Sequence, residues 1–395
     1  MNSTLSNSSN VTNGSLARAI FPSVASTIET SSNPVLRWAL LLAYSVICLS
    51  GVCGNLMVIL ASRKPGMVTV SNILIANLAV ADFTVCLVNI PTVATYGFLV
   101  YWPFGAFLCK LISFLQGLTL SASVGTLAAI AGERYWHIVL YTRRKLTIRE
   151  AYKAVAVIWA TSIFMPLPLA VFSNATKFKQ GEKEFAVCIE EWPSVKSRQS
   201  YTVLVFLLLY LLPLLIIAGL YARVGRFLRR LPTAQQGGNN KRTKIEGFVI
   251  LQHDWVIKQC LLHIRVFFGG KTDSLSSGNI VLLIFLLVTN QAQTKAIRML
   301  STVVFLFAIC WLPYHIVLMY TEWSYSELSQ ALTSVILLAQ WLVFANSTFN
   351  PFVYAVLNEN YRGKFKMLLH LRRRNRRRNN VIIRVQTIRN ETHIR

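Results

Sequence analysis

The chain has 395 residues, of which 54% are hydrophobic and only 14% charged, and its mean hydropathy is +0.49. Soluble globular domains carry about 25% charged residues, so this composition excludes an ordinary soluble domain and indicates a membrane protein. The net charge of +25 would suit nucleic-acid binding in a soluble protein, but its placement explains it otherwise, and no nucleic-acid partner is expected.

Seven apolar spans run over about residues 36–62, 70–99, 107–139, 153–173, 201–227, 296–320 and 330–356, each long enough to cross a bilayer as a helix. An odd number puts the two ends on opposite sides. With the C-terminal end inside, the inner segments hold 32 of the 40 Lys and Arg residues. The positive-inside rule therefore places the N-terminus outside. The expected fold is all-α: a seven-transmembrane helix bundle with a short amphipathic helix on the cytoplasmic side after the seventh span. The expected divisions are an extracellular tail (1–35), the seven-span domain (36–357) with an unusually long third inner loop (228–295), the amphipathic helix (358–371) and a basic tail (372–395).

The N-terminal tail is rich in Ser, Asn and Thr and lacks a packed-core pattern. Asn2, Asn7, Asn10 and Asn13 each begin a glycosylation acceptor triplet, as does Asn174 farther on. No cleaved signal peptide is legible, so the first span is expected to act as the insertion signal. Span one contains Gly54-Asn55 and span two contains Asn77 and Asp82. An isolated carboxylate inside a membrane is costly and usually functional. Asp82 reads either as a packing residue or as a cation or proton site. Pro91 is expected to kink the outer half of span two.

Span three begins at Cys109, passes Gln116 and Ser123, and ends on Glu133-Arg134-Tyr135. Cys109 and Cys188 alone among the seven cysteines face the oxidising side, and form the one plausible disulfide. Span four carries Trp159, Pro166 and Pro168. The outer loop that follows carries Glu190 and Glu191, whose default reading is a solvated acidic face. Span five holds Pro213 and Tyr221. Span six holds Phe307 and Cys310-Trp311-Leu312-Pro313, with Glu322 at its outer end, and span seven closes on Asn350-Pro351-Phe352-Val353-Tyr354. Beyond it, Tyr361, Phe365, Leu368 and Leu369 fall at helical spacing among basic residues, the pattern of an interfacial helix. The Arg372–Arg378 cluster suits anionic lipid headgroups of the inner leaflet.

These motifs, in this order and each in its span, make the chain resemble the rhodopsin-like (class A) G-protein-coupled receptors over about residues 36–370. The resemblance implies a plasma-membrane receptor that couples to a heterotrimeric G protein and is not an enzyme. It implies that Arg134 is the switch arginine, paired with Glu133 at rest and released toward Tyr221 on activation, with Tyr135 completing the motif. Trp311, Asn350, Pro351 and Tyr354 would relay the change. Asp82, Ser123, Asn346 and Asn350 would form a pocket for an allosteric sodium ion. No other cofactor is implied.

The position at which amine receptors carry an Asp is Gln116 here, and span seven lacks the Lys of the opsins. The outer loop and Tyr210-Leu211-Leu212-Pro213 are similar to receptors of the neuropeptide Y, neuropeptide F and prolactin-releasing-peptide (RFamide) group. The implied ligand is an amidated extracellular peptide. Gln116, Glu190, Glu191, Glu322 and Gln340 are the implied ligand-binding residues, the acids taking the penultimate arginine of the peptide. A transporter or channel with Asp82 as its cation site is the alternative. It predicts internal repeats, which are absent from the sequence.

Two features depart from the pattern. The inner end of span six, Gln291-Ala292-Gln293-Thr294-Lys295, offers no acid to Arg134, so resting restraint is expected to fall to Glu133 or to polar contacts, and basal signalling to be measurable. The third inner loop also contains Ile280–Val288, nine consecutive apolar residues, too few to cross a bilayer. Residues near 271–291 read either as a genuine loop or as a translated intron, because Gly270-Lys271 can be encoded by a splice donor and Gln291 by an acceptor. Sequencing the mature transcript separates the two.

Overall fold

A computed structural model describes residues 17–19, 34–99, 101–140, 146–180, 183–230, 275–324 and 330–369, with the backbone alone for 17–19, 34, 36, 37, 97, 180, 183, 229, 230, 275–292, 330, 331 and 333. The glycosylation triplets at Asn2, Asn7, Asn10 and Asn13, the Arg372–Arg378 cluster and residues 231–274 lie outside the described residues. Among the described residues, six helices are long and apolar enough to cross a membrane: Trp38–Ser62, Val70–Tyr96, Gly105–Leu140, Val195–Leu228, Gln293–Trp323 and Ser334–Leu357. They correspond to spans one, two, three, five, six and seven. Span four is divided into Ile148–Ser162 and Leu167–Phe172. The break follows from Pro166 and Pro168, which lack the N–H that would continue the ladder and crowd the carbonyl four residues back. Gly117 of span three packs there, where an added Cβ would lie 2.7 Å from the Pro166 ring.

Prolines elsewhere are accommodated without a break. Pro91 is preceded by a π turn, Val85–Asn89, and Pro213 by another, Leu207–Leu211. Each widened turn re-seats the backbone bonds that the proline disrupts. The expected kink at Pro91 is thus a π turn starting six residues earlier.

Span six departs most from expectation. Its helix runs from Leu275 to Trp323, 49 residues, so the last part of the segment assigned by the sequence to the third inner loop is helical. At about 1.5 Å per residue it is about two and a half times as long as a hydrocarbon core of ~30 Å requires. Ile280–Val288 therefore continues span six rather than forming a separate crossing.

The chain divides into two compact units, one of residues 1–130, 146–216 and 302–395, the other of 131–145 and 217–301. Within the first unit, polar side chains tie the spans together. Asn55 donates to the backbone oxygens of Gly51 (3.0 Å) and Ser347 (2.9 Å), joining spans one and seven. Trp159 Nε1 donates to Asn77 Oδ1, and Asn77 Nδ2 donates to Thr126 Oγ1, both at 2.8 Å, joining spans four, two and three. Gly54 lets span one approach Pro351, where a Cβ would lie at 2.8 Å. Outward faces stay apolar: Trp38, Leu42, Val46 and Leu49 of span one are all exposed, far more apolar surface than a water-facing monomer shows.

After span four the chain forms a hairpin of β2 (Ser173–Gln180) and β3 (Lys183–Glu191), and β1 (Ala17–Ala19) adds antiparallel to β3, giving the order β1-β3-β2. An otherwise helical chain thus carries a small sheet, and part of the N-terminal tail is a strand. The Cys109–Cys188 disulfide is formed and links the start of span three to β3, with Cα atoms 5.7 Å apart. Trp102 reinforces the link, its backbone N–H donating to Ala186 O (2.7 Å) and its Nε1 to Gly105 O (2.8 Å).

The amphipathic helix covers 359–369. Tyr361 and Phe365, one turn apart, are buried while Arg362 and Lys366 are exposed. The Tyr361 hydroxyl lies 2.9 Å from Ser62 Oγ. Burial pushes its phenol up to about 12, against the opposing pull of the Ser62 hydrogen bond, so it stays neutral.

Replacing Trp159 by Phe keeps the packing but removes the donor to the buried Asn77. We expect a cost of about 1–3 kcal/mol, seen as a lower melting temperature of the detergent-solubilised protein.

Candidate functional site

The first unit encloses a cavity of ≈130 Å³ whose lining includes Gln116, Glu190, Thr202, Trp311, His315 and Glu322. Three spans and the β3 strand supply these residues. The floor is aromatic: Trp311 packs on Phe307 at 5.8 Å and on His315 at 5.8 Å, and Tyr210 packs on His315 at 4.6 Å. Tyr210 also donates to the Ala308 backbone oxygen at 2.8 Å, fastening span five to span six in the helix that contains Pro313. Trp311 Nε1 and His315 Nδ1 are buried with no hydrogen-bond partner among the described residues.

The two loop acids part company. Consecutive strand residues face opposite sides, so Glu190 lines the cavity while Glu191 does not. Glu190 Oε2 accepts from Trp192 Nε1 at 2.7 Å, and Trp192 stacks between Phe172 and Tyr201. Glu191 instead accepts from Asn174 Nδ2 and Thr176 Oγ1 across the hairpin. Of the two loop acids, Glu190 lies on the wall of this cavity and Glu191 does not. Both polar members of the Asn174 acceptor triplet are engaged with Glu191.

Glu322 also differs from expectation. It lines the cavity, but it is not an open carboxylate. Its Oε2 lies 3.0 Å from Arg198 Nε, with side-chain exposures of 1% for Glu322 and 12% for Arg198. Its Oε1 accepts from Thr202 Oγ1 at 3.4 Å, and its backbone oxygen accepts from Gln199 Nε2 at 2.9 Å. Arg198, Thr202 and His315 were not singled out from the sequence. A signal for the first was present: Arg198 and Glu322 are opposite charges at corresponding ends of spans five and six. Gln116 lines the cavity as expected. Gln340 is buried on span seven, and its Oε1 has no hydrogen-bond partner among the described residues.

Deeper in the same unit, Asp82 is 2% exposed and accepts from Asn350 Nδ2 at 2.7 Å. Asn346 Oδ1 and Asn350 Oδ1 are buried without hydrogen-bond partners among the described residues. A buried carboxylate and buried amide oxygens without partners are the oxygen donors that a hard cation takes, so the chemistry of these side chains suits a sodium ion. Ser123 is half-buried on span three.

In the second unit, Arg134 Nε lies 3.0 Å from Glu133 Oε2, both side chains largely buried at 13% and 11% exposure. Arg134 Nη1 also donates to Gln293 Oε1 at 3.5 Å, a long bond near the geometric limit. The acid missing from the inner end of span six is replaced by this neutral acceptor. The Tyr221 hydroxyl is buried without a hydrogen-bond partner among the described residues, within electrostatic reach of Arg134 and Glu133.

The profile of the 7 transmembrane receptor (rhodopsin family) matches residues 54–354. The chain belongs to this family. It is a multi-pass G-protein-coupled receptor and not an enzyme, and the transporter alternative has no support. The chain is 30% identical over 346 residues to a QRFP-like peptide receptor of Branchiostoma floridae, covering 86% of this chain and 80% of that one. It is 31% identical over 347 residues to neuropeptide FF receptor 1 of Homo sapiens (84% and 70%). It is 30% identical over 337 residues to neuropeptide Y receptor type 4-2 of Homo sapiens (83% and 78%).

Proposed function

We propose that the receptor binds an amidated RFamide-type neuropeptide and passes the event to a heterotrimeric G protein across the plasma membrane, with its N-terminus outside. The observation that carries the ligand class is the pair of acids, Glu190 and Glu322, on the wall of a largely apolar and aromatic cavity. Such a wall suits an arginine beside an aromatic residue at a peptide end. Relatives named for QRFP-like and neuropeptide FF peptides support the same class. Gln116 lines the same cavity and would serve as an amide donor and acceptor for the peptide terminus. The cavity of ≈130 Å³ is smaller than the ~300–1,000 Å³ of filled ligand sites, so it widens on binding.

The work is differential binding to two conformations. At rest, Arg134 is held by Glu133 and Gln293, and release toward Tyr221 would accompany coupling. A sodium ion at Asp82, Asn346 and Asn350, with Ser123 beside them, would favour one of the two states. The basic residues after span seven would rest against anionic inner-leaflet lipids, with no nucleic-acid partner.

Challenging transfected cells with a panel of amidated peptides and reading cyclic AMP or calcium tests the assignment. A response to RFamide or neuropeptide-Y-like ligands is expected, and silence to all of them would remove the ligand class. Glu190→Gln or Glu322→Gln should lower the potency of an arginine-bearing peptide by about thirtyfold or more, the lower range for breaking a buried charge pair. Gln293→Glu should give Arg134 a charged partner and lower basal signalling at matched surface expression. Sodium chloride, compared with choline chloride, should raise the melting temperature of the purified receptor, and Asp82→Asn should abolish the difference.

A further inference from the structure

Glu322 is already neutralised. Arg198 reaches it at 3.0 Å, and Arg198 and Thr202, one helical turn apart on span five, contact different oxygens of the same carboxylate. A second guanidinium entering the cavity meets a filled acid and a positive charge beside it.

Arg198 stands in an unfavourable place for a cation. The helix Val195–Phe206 is capped by Ser194 and Ser197, has no acid in its first turn, and carries Arg198 just inside its N-terminus. The aligned peptide dipoles make the helix N-terminus positive even when it is capped. The helix thus repels Arg198 and Glu322 holds it. Arg198 also keeps 12% exposure while Glu322 keeps 1%. The arginine borders solvent and the acid does not, so the arginine is the partner that can leave.

We infer that Arg198 is an internal competitor for the ligand's arginine: it occupies Glu322 in the empty receptor and is displaced when a peptide guanidinium takes its place. This rests on the reading of Glu322 as a ligand-arginine site and adds a residue that sets affinity and selectivity without itself binding the peptide. Exchange of one guanidinium for another leaves the buried acid paired in both the empty and the bound receptor, so neither end state carries the penalty of a bare Glu322. The competition weakens binding by the fraction of time that Glu322 is open. A ligand without a cation gains nothing from the exchange, so the pair also discriminates against neutral peptides.

The test uses the full-length receptor in cell membranes, with equilibrium binding of a peptide ending in Arg-Phe-amide and of its counterpart with citrulline in place of arginine. Arg198→Met should bind the arginine peptide about tenfold more tightly than wild type, as for a pair closed nine times in ten, and the citrulline peptide no more tightly. Arg198→Gln keeps a hydrogen-bond donor for Glu322 and guards against misfolding; it should shift affinity in the same direction. Adding Glu322→Gln to Arg198→Met should erase the gain. If wild type binds the arginine peptide and neither Arg198 variant improves on it at matched surface expression, Arg198 is a static tie and the inference is overturned. If wild type binds neither peptide, the peptide assignment itself fails and the displacement with it.

Discussion

Asp82 is a carboxylate with almost no access to solvent, and Asn350 of span seven donates to it. A membrane interior offers no water to a polar group, so a buried donor or acceptor is costly unless it finds a partner in its own helix or on another span. That requirement recurs throughout the first unit. Asn55 reaches the Ser347 backbone oxygen, Asn77 bridges Trp159 and Thr126, and Thr348 donates to the Ile47 oxygen. The outward sides need no such matching and are mostly apolar, their few hydroxyls, such as Ser45 and Thr161, bonding back to their own helix. Register between spans is therefore set by a few polar side chains rather than by the many interchangeable leucines around them.

The same constraint shapes the two charged places that bear on signalling. Glu322 and Arg198 are buried together, as are Glu133 and Arg134, because either charge alone would be expensive at such depth. Each pair is supplemented by a neutral neighbour: Thr202 on Glu322, Gln293 on Arg134. A buried ion pair that shares its charges with neutral partners can exchange one arrangement for another, which is what a conformational switch needs.

The motifs were legible because each is local in sequence and chemically unusual inside an apolar run. Asp82, Glu133-Arg134, Trp311 and Pro313 stand out against leucine and valine. The disulfide was legible from sidedness alone. The relation of Glu190 to Glu191 was not, since adjacent acids look equivalent until a strand turns one toward the cavity and the other across the hairpin. The pairing of Arg198 with Glu322 was legible only as opposite charges at corresponding span ends, not as a contact. The two are 124 residues apart, and no periodicity within either span reports what the other presents.

The sequence by itself determined the class of the protein, the number of its spans and the sites where charge enters the bilayer, because hydrophobic run length and basic-residue placement answer directly to membrane thickness and potential. Only the tertiary structure decided how the prolines are absorbed, as π turns in spans two and five but a break in span four. It alone carried span six back to Leu275, set Gln293 against Arg134, and closed Glu322 with Arg198. Those outcomes depend on which side chains meet across helices, and a buried polar atom is satisfied by whatever partner the packing brings within about 3 Å.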